Sequence, residues 1–356
     1  MQRQQGRRFA AILGGALAAQ VLAATTAAAI DILTLTPDAT TKGAAAGGTF
    51  RGVVTSESPS KVEIKLGNNT MSIPTAEVAS IVYDGHPASL ENAKTKDDAG
   101  SFAEAIELYR KAVTDANGKP FIVEEAAFGQ ARATADIAQE DPGKVPDAIA
   151  QLEGFSRKYK DGRHVGPALE ALARLQIARE NYPGAEATLG QLAKLPGGED
   201  RSASLRVKLL ARKGQAAEAI AEIDKMIAAN PEGSARKRDA VLAKAEALAG
   251  LKKYGEAEAL VRSVIKGAPP EDASTQAIAH NTLGDCLRAA GKPKDALFAY
   301  LHTDLLFSKD KEEHARALVQ IAQIYRELKQ TTRADEIIER LKQDYPRNAA
   351  AQEGRP

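Results

Sequence analysis

The 356-residue sequence has no tryptophan, a single cysteine and three methionines, and only 4% of it is aromatic. A lone cysteine, Cys286, excludes an intramolecular disulfide framework and a zinc site built on several thiolates. The shortage of aromatics argues against a large β core and against platforms on which nucleic-acid bases stack. Neither sign of charge dominates: 48 Lys and Arg stand against 47 Asp and Glu, a formal net charge of +1. Such a balance offers no overall attraction to nucleic acid or to an anionic membrane.

Reactive motifs are missing too. The glycine-rich "GAAAGGT" (43–49) has Gly48 where a phosphate loop needs Lys before Thr49, and a strand-like run follows it where a helix should begin. Five histidines, His86, His164, His280, His302 and His314, are assigned to different units of the chain. None of them forms the His-x-x-x-His pair with an intervening Glu that a helical zinc site uses. No serine sits in a nucleophile elbow. Cys286 lies beside Leu287 with no basic cluster to lower its pKa, so it reads as a small buried thiol. Carboxylates alternate with Lys and Arg as solvated pairs, Glu107 with Lys111 for example, and no pair of acids marks a glycan-cleaving cleft. These absences predict a non-enzymatic protein without cofactor or metal.

What is present begins with "MQRQQGRRFAAILGGALAAQVLAATTAAAI". Arg3, Arg7 and Arg8 precede an apolar segment from Phe9 to about Ala24. Ala27 and Ala29 then satisfy the small-x-small rule for signal peptidase. Residues 1–29 are therefore expected to be an exported protein's signal peptide, whose removal takes away three Arg and no acid and brings the net charge to −2. The alternative is an uncleaved anchor, since Phe9 to Ile30 is just long enough to span a bilayer. Membrane contact is expected through that segment or not at all. The bacterial style of the signal predicts a periplasmic or cell-envelope location.

Residues 30–87 alternate as strands do, in "DILTLTPD", "TFRGVVTSE", "KVEIKLG", "TMSIP" and "ASIVYDG", separated by turn signals at 42–48, 58–60 and 67–69. Four or five strands of this length suggest a small barrel, loosely similar to SH3-like or Sm-like modules, or a sheet that caps the helices after it. The module carries four Lys or Arg against six Asp or Glu, with Phe50 and Tyr83 its only aromatics. It lacks the basic, aromatic-studded face that nucleic acid requires.

From 88 to 346 a different grammar takes over. A small residue returns at Ala105, Ala148, Ala185, Ala219, Ala257, Ala296 and Ala334, at spacings of 43, 37, 34, 38, 39 and 38 residues. Around these positions stand "GSFAEAIELYRKA", "GQAAEAIAEIDKM" and "GKPKDALFAYLHT", among others. In the sixth unit Leu283-Gly284 precedes Ala296 and Tyr300. In the seventh, Ala322, Tyr325, Ala334 and Pro346 fall in register, and units four and five close on Pro231 and Pro269. The pattern resembles the tetratricopeptide repeat, a helix-turn-helix unit of about 34 residues. The family's early Trp is absent, and unit two carries an insertion.

The expected fold is thus mostly α (α+β overall): a small β module followed by a solenoid of about seven helical hairpins and a polar tail, 347–356. One hairpin cannot bury its own apolar stripe, so hairpins stack. Ala at the helix crossing admits a close approach, the residue four positions later fills the space beside it, and Gly, Asn or Pro makes the turns. The resemblance implies a concave wall lined by the first helix of each hairpin and able to hold a peptide or partner helix. Carried over from the family's geometry, the groove candidates are Lys208, Arg212, Glu246, Asn281, Asp285, Arg288, Gln323 and Arg326. The Lys-then-Asn pair with which some members clamp a C-terminal carboxylate is missing. The last helix either caps itself, with charges around Ile337, Ile338 and Leu341, or presents its outer face to another molecule. The function expected is an exported adaptor or scaffold holding a protein or peptide partner in the envelope. Self-assembly into a homo-oligomer is the alternative, and a glycan-binding accessory role comes third.

Overall fold

The computed structural model describes residues 30–37 and 39–345, so the expected signal peptide, 1–29, and the polar tail lie outside the described residues. Five strands open the chain: β1 (Asp31–Leu35), β2 (Thr49–Glu57), β3 (Lys61–Leu66), β4 (Asn69–Pro74) and β5 (Val78–Val82). All pairings are antiparallel, in the order β4-β3-β2-β1-β5, so the fifth strand returns beside the first. The register sets Leu33 opposite both Phe50 and Ile81, Val54 opposite Ile64, and Val62 opposite Ile73. Alternation at period two places all of these on one face.

Seven helical hairpins follow: α1 (Ala88–Asp98) with α2 (Phe102–Asp115), α3 (Pro120–Glu140) with α4 (Val145–Lys158), α5 (Val165–Ala178) with α6 (Tyr182–Leu192), α7 (Gly198–Arg212) with α8 (Ala216–Ala229), α9 (Ala235–Gly250) with α10 (Tyr254–Gly267), α11 (Ala273–Ala289) with α12 (Pro293–Leu306), and α13 (Lys311–Glu327) with α14 (Thr331–Asp344). Every one of the seven repeating alanines lies in an even-numbered helix and is fully buried. Four positions on, Tyr109, Leu152, Leu189, Ile223, Val261, Tyr300 and Ile338 are buried as well. Where the second residue is tyrosine, its ring rests on a glycine of an odd-numbered helix. A Cβ added at Gly284 would lie 2.5 Å from the Tyr300 ring, and one at Gly129 would collide with Tyr109.

The turns within the hairpins share one geometry. In six of them a backbone N–H reaches back five residues, as from Ser101 to Lys96, Gln215 to Leu210 and Lys292 to Leu287, closing a Schellman motif. The left-handed residue this requires is glycine in three hairpins, Gly100, Gly214 and Gly291. In the other three it is Glu180, Lys252 or Lys329, at φ of 58°, 61° and 59°. The expectation of Gly, Asn or Pro at the turns is corrected there: stacking holds these residues in a conformation that costs about 1 kcal/mol. The exception is α3–α4, where α3 runs for 21 residues and a single 3-10 turn, Pro142–Lys144, makes the link. The insertion anticipated in unit two lies here.

The sheet is continuous with the solenoid. Its buried face and residues of α1–α3, including Leu90, Ala93, Tyr109, Ile122 and Ala126, form one apolar cluster. A buried ionic latch spans the join. Arg163, before α5, donates to Glu57 at the end of β2 at 3.0 Å and also bonds Glu125 of α3. Tyr83 donates to Glu57, His164 meets Glu125 at 3.0 Å and Lys94 meets it at 2.8 Å. Burial pushes the Glu57 carboxyl up to about 7 against the pull of Arg163. Glu125 is desolvated too, but Arg163 and His164 hold it well below the usual carboxylate range. Burial keeps His164 below the ordinary histidine value.

Two outcomes follow from this packing. Ala257→Leu is expected to lower stability in urea titrations by about 1–3 kcal/mol through overpacking, whereas the same change at exposed Ala259 stays within about 0.5 kcal/mol. For the latch, a carboxyl near 4.3 in the unfolded chain and about 7 in the fold subtracts stability as pH rises between those values. Glu57→Gln is therefore expected to melt above the parent at pH 8. The difference should shrink as pH falls and vanish near pH ~4.3, followed by circular dichroism.

Candidate functional site

Consecutive odd-numbered helices touch along the array, α3 with α5, α5 with α7, α9 with α11 and α11 with α13, while the even-numbered helices make no comparable contact with one another. Crowding on one side and splaying on the other curve the stack, so the odd helices form its concave wall. One gap interrupts that wall. Helices α7 and α9 barely meet, and the apolar cluster of α5–α7 stops where that of α9–α13 begins.

All eight residues expected in the groove lie on odd-numbered helices, but they divide into two groups. Lys208 and Arg212, on α7, line an open groove of about 610 Å³ between α3, α5 and α7. Its floor is apolar, with Ala135, Ala171, Leu175 and Leu205, and Arg174 and Asp136 stand on its walls. Arg174, Lys208 and Arg212 are exposed and make no ion pair among the described residues. Burial raises the Asp136 carboxyl above its ordinary value, and Asp136 is the one acid among the residues that line the groove. The groove is therefore basic over an apolar floor.

The remaining residues are largely engaged with one another. Asp285 accepts from Tyr300 at 2.5 Å and from Arg316. Arg288 donates to Gln320 at 2.5 Å, to Gln323 at 2.6 Å and to Glu327. Arg326 has a looser partner in Asp335, at 3.9 Å. Glu246 keeps access to solvent but is recessed in the wall. That desolvation raises its pKa, opposed by Arg316 and aided by Asp285 and Glu313. Asn281 is a correction: it is wholly buried, donating to the Glu313 carbonyl at 2.9 Å and carboxylate at 2.7 Å, and presents nothing to a groove. Asn281 and Asp285, one turn apart on the same side of α11, both bond residues of α13, Glu313 and Arg316, and Asn281 is the one that α13 covers completely.

Arg174 is the groove residue that the repeat pattern itself could have supplied. It precedes Lys208 by 34 residues, and Lys208, Glu246, Asp285 and Gln323 then follow at 38, 39 and 38, the spacings of the buried alanines. These five occupy one column down the inner wall, running from basic through acidic to neutral. A second correction concerns the histidines. His280 and His302 belong to the same hairpin and stack with ring centroids 4.7 Å apart. His314 joins Asp304 at 2.8 Å and Tyr345 at 2.7 Å, and Arg340 also bonds Asp304, tying α14 to α12 and α13. Among the described residues no group of His, Cys, Asp and Glu is arranged to hold a metal ion. Cys286 is buried, and burial followed by the Asp285 charge pushes its thiol up to about 11.

Stacked hairpins with a small residue at each crossing, a tyrosine or aliphatic residue beside it and a concave inner wall define a tetratricopeptide-repeat solenoid. Residues 315–343, the last hairpin, match the tetratricopeptide repeat family model. Among solved structures, a tetratricopeptide repeat protein from Parabacteroides merdae ATCC 43184 is 15% identical, covers 75% of this chain and 95% of its own, and superposes with a TM-score of 0.50. PilW, a widely conserved type IV pilus biogenesis factor, is 18% identical over 63% of this chain and 97% of its own, with a TM-score of 0.40. A Rap protein complexed with competence and sporulation factor is 14% identical over 72% and 75%, with a TM-score of 0.43. The first likeness shows the fold; the other two are too distant to add to it. No curated protein matches the sequence.

The two groups of wall residues differ in what their loss should do. Arg316→Ala leaves Asp285, Glu313 and Glu246 without their cation and is expected to cost about 1–3 kcal/mol in chemical denaturation. Arg174→Ala and Lys208→Ala, which break no ion pair, are expected to stay within about 0.5 kcal/mol.

Proposed function

We propose that the protein is a non-enzymatic adaptor that holds an extended, acidic segment of a protein partner in the groove between α3, α5 and α7. The observation that carries this reading is the set of unpaired cations, Arg174, Lys208 and Arg212, over the apolar floor of Ala171, Leu175 and Leu205. Three exposed cations brought together without carboxylate partners repel one another, and an anionic ligand relieves that repulsion. The floor accommodates the small or aliphatic side chains that alternate with acids in such a segment. Specificity in this arrangement comes from charge, and affinity from the apolar contacts and neighbouring hairpins.

The signal-like pattern of residues 1–29 supports an exported, envelope-located adaptor. In that setting the α-solenoid acts as a scaffold and the β module buttresses its first hairpins.

A photo-crosslinking residue at Ala171, in protein expressed in a bacterial host of the same envelope type, is expected to give one dominant protein adduct. The adduct should disappear when Arg174, Lys208 and Arg212 are all changed to Glu. Its survival in the triple variant, or the same adduct from a crosslinker placed at Glu107 on the outside of α2, would remove the groove from the proposal.

A further inference from the structure

The even-numbered helices form the convex wall, where α2, α10 and α14 show charged residues to solvent: Glu107 and Arg110, Glu258 and Arg262, Glu339 and Lys342. Helix α12 departs from this. Phe298, Leu305 and Leu306 are 64%, 72% and 66% exposed, and no other even-numbered helix exposes a large apolar side chain among the described residues. The departure is built into the helix, whose apolar residues occupy both sides. Ala296, Ala299, Tyr300 and Thr303 face inward and are buried, while 294, 298, 302 and 305 form the outward stripe.

Cations surround this stripe. Lys294 heads it, Lys309 follows its end, and Lys266 stands beside it on α10. None of the three makes an ion pair among the described residues. Between α10, α11 and α12 a cleft of about 400 Å³ opens along the stripe, with Arg262, Lys266, Asp295 and His302 on its walls. Asp295 is its one carboxylate, and Arg262 is shared with Glu258 at 2.8 Å. At the back of the cleft His280, nine-tenths buried and stacked on His302, has its Nδ1 without any hydrogen-bond partner.

We propose that this face of α12 is a membrane-contact surface, with Phe298, Leu305 and Leu306 entering the headgroup–acyl boundary of an anionic bilayer while Lys266, Lys294 and Lys309 meet lipid phosphates. Two features favour a lipid surface over a protein groove. The apolar residues project from the outer, convex side of the array, where a fluid interface closes around them without a complementary shape. Cations predominate beside them: Lys266, Lys294 and Lys309 are unpaired among the described residues against the single carboxylate of Asp295 in the cleft, the balance by which amphipathic helices select anionic leaflets. The molecule's overall charge balance conceals this local excess.

The absence of tryptophan makes the test direct. Leu305→Trp in the full chain places a sole indole at the centre of the patch, and Lys225→Trp places one on exposed α8 as reference. With equimolar phosphatidylglycerol–phosphatidylcholine vesicles the emission at 305 should shift to the blue and be quenched by bromine-labelled acyl chains, while that at 225 should not. Pure phosphatidylcholine should require at least about tenfold more lipid, and adding Lys266→Glu and Lys294→Glu should abolish that preference. The proposal is overturned if the 305 emission ignores anionic vesicles, or if acyl-chain bromine quenches both indoles alike. It is overturned equally by a lipid-free blue shift that grows with protein concentration, which assigns the face to a second copy of the chain, and by one that requires an added soluble protein.

Discussion

The fold depends on the distance at which two helices cross. At each of seven crossings a methyl group is all that separates one backbone from the next, and the larger side chain four residues on is seated only because that approach is so close. Widening one crossing would unseat the ring or aliphatic group beside it and tilt every hairpin beyond. The other regularities answer to this demand. Schellman turns return the chain at a constant angle, and glycine is required under Tyr109 and Tyr300 because their rings lie flat against the neighbouring helix. Even the strained turns at Glu180, Lys252 and Lys329 are tolerated because the packed hairpins on either side determine the path between them.

A rigid inner wall can treat charge in two ways, and this protein does both. Towards the C-terminus, Arg288 and Arg316 are each fixed by several acceptors, so their charges rigidify the contact of α11 with α13 and leave little for a ligand. Towards the N-terminus, Arg174, Lys208 and Arg212 lie over small side chains and make no ion pair among the described residues, Asp136 being the one acid on the groove wall. The same residue types on the same inner wall therefore do structural work at one end and remain available at the other. The difference lies in the residues one repeat away: Gln320, Gln323 and Glu327 bond Arg288 directly, whereas Lys208 makes no ion pair with Glu246.

Much of the architecture could be read from the chain because stacking imposes a period. The seven alanines and their partners four positions on follow from it, while the assignment of odd helices to the inner wall rests on the resemblance to the tetratricopeptide repeat. Features that depend on residues meeting out of period could not be read. Arg163 and Glu57 are 106 residues apart and belong to different modules. Asn281 shares a side of α11 with Asp285, and only the way α13 covers that side decides which of them sees solvent. The outer face of α12 was hidden by its own composition: "DALFAYLHTDLLF" reads as a core helix, and its surplus of apolar residues becomes visible only once the inward half has been accounted for. His280 and His302 went unpaired in the sequence because a helical hairpin, not a short motif, brings them together.

The weak meeting of α7 and α9 gives the array an uneven mechanical character. The inner wall is continuous from α3 to α7 and from α9 to α13, and the joint between the two stretches is held by the contact of α8 with α9. A change of superhelical pitch at that joint disturbs fewer inner-wall contacts than one elsewhere. Lys208 and Glu246 face each other across it from neighbouring repeats, so their attraction grows as the joint closes. A ligand confined to α3, α5 and α7 would leave the pitch of the superhelix unchanged. One long enough to reach α9 would couple its own length to the curvature of the whole molecule, and the array would act as a gauge of how far its occupant extends.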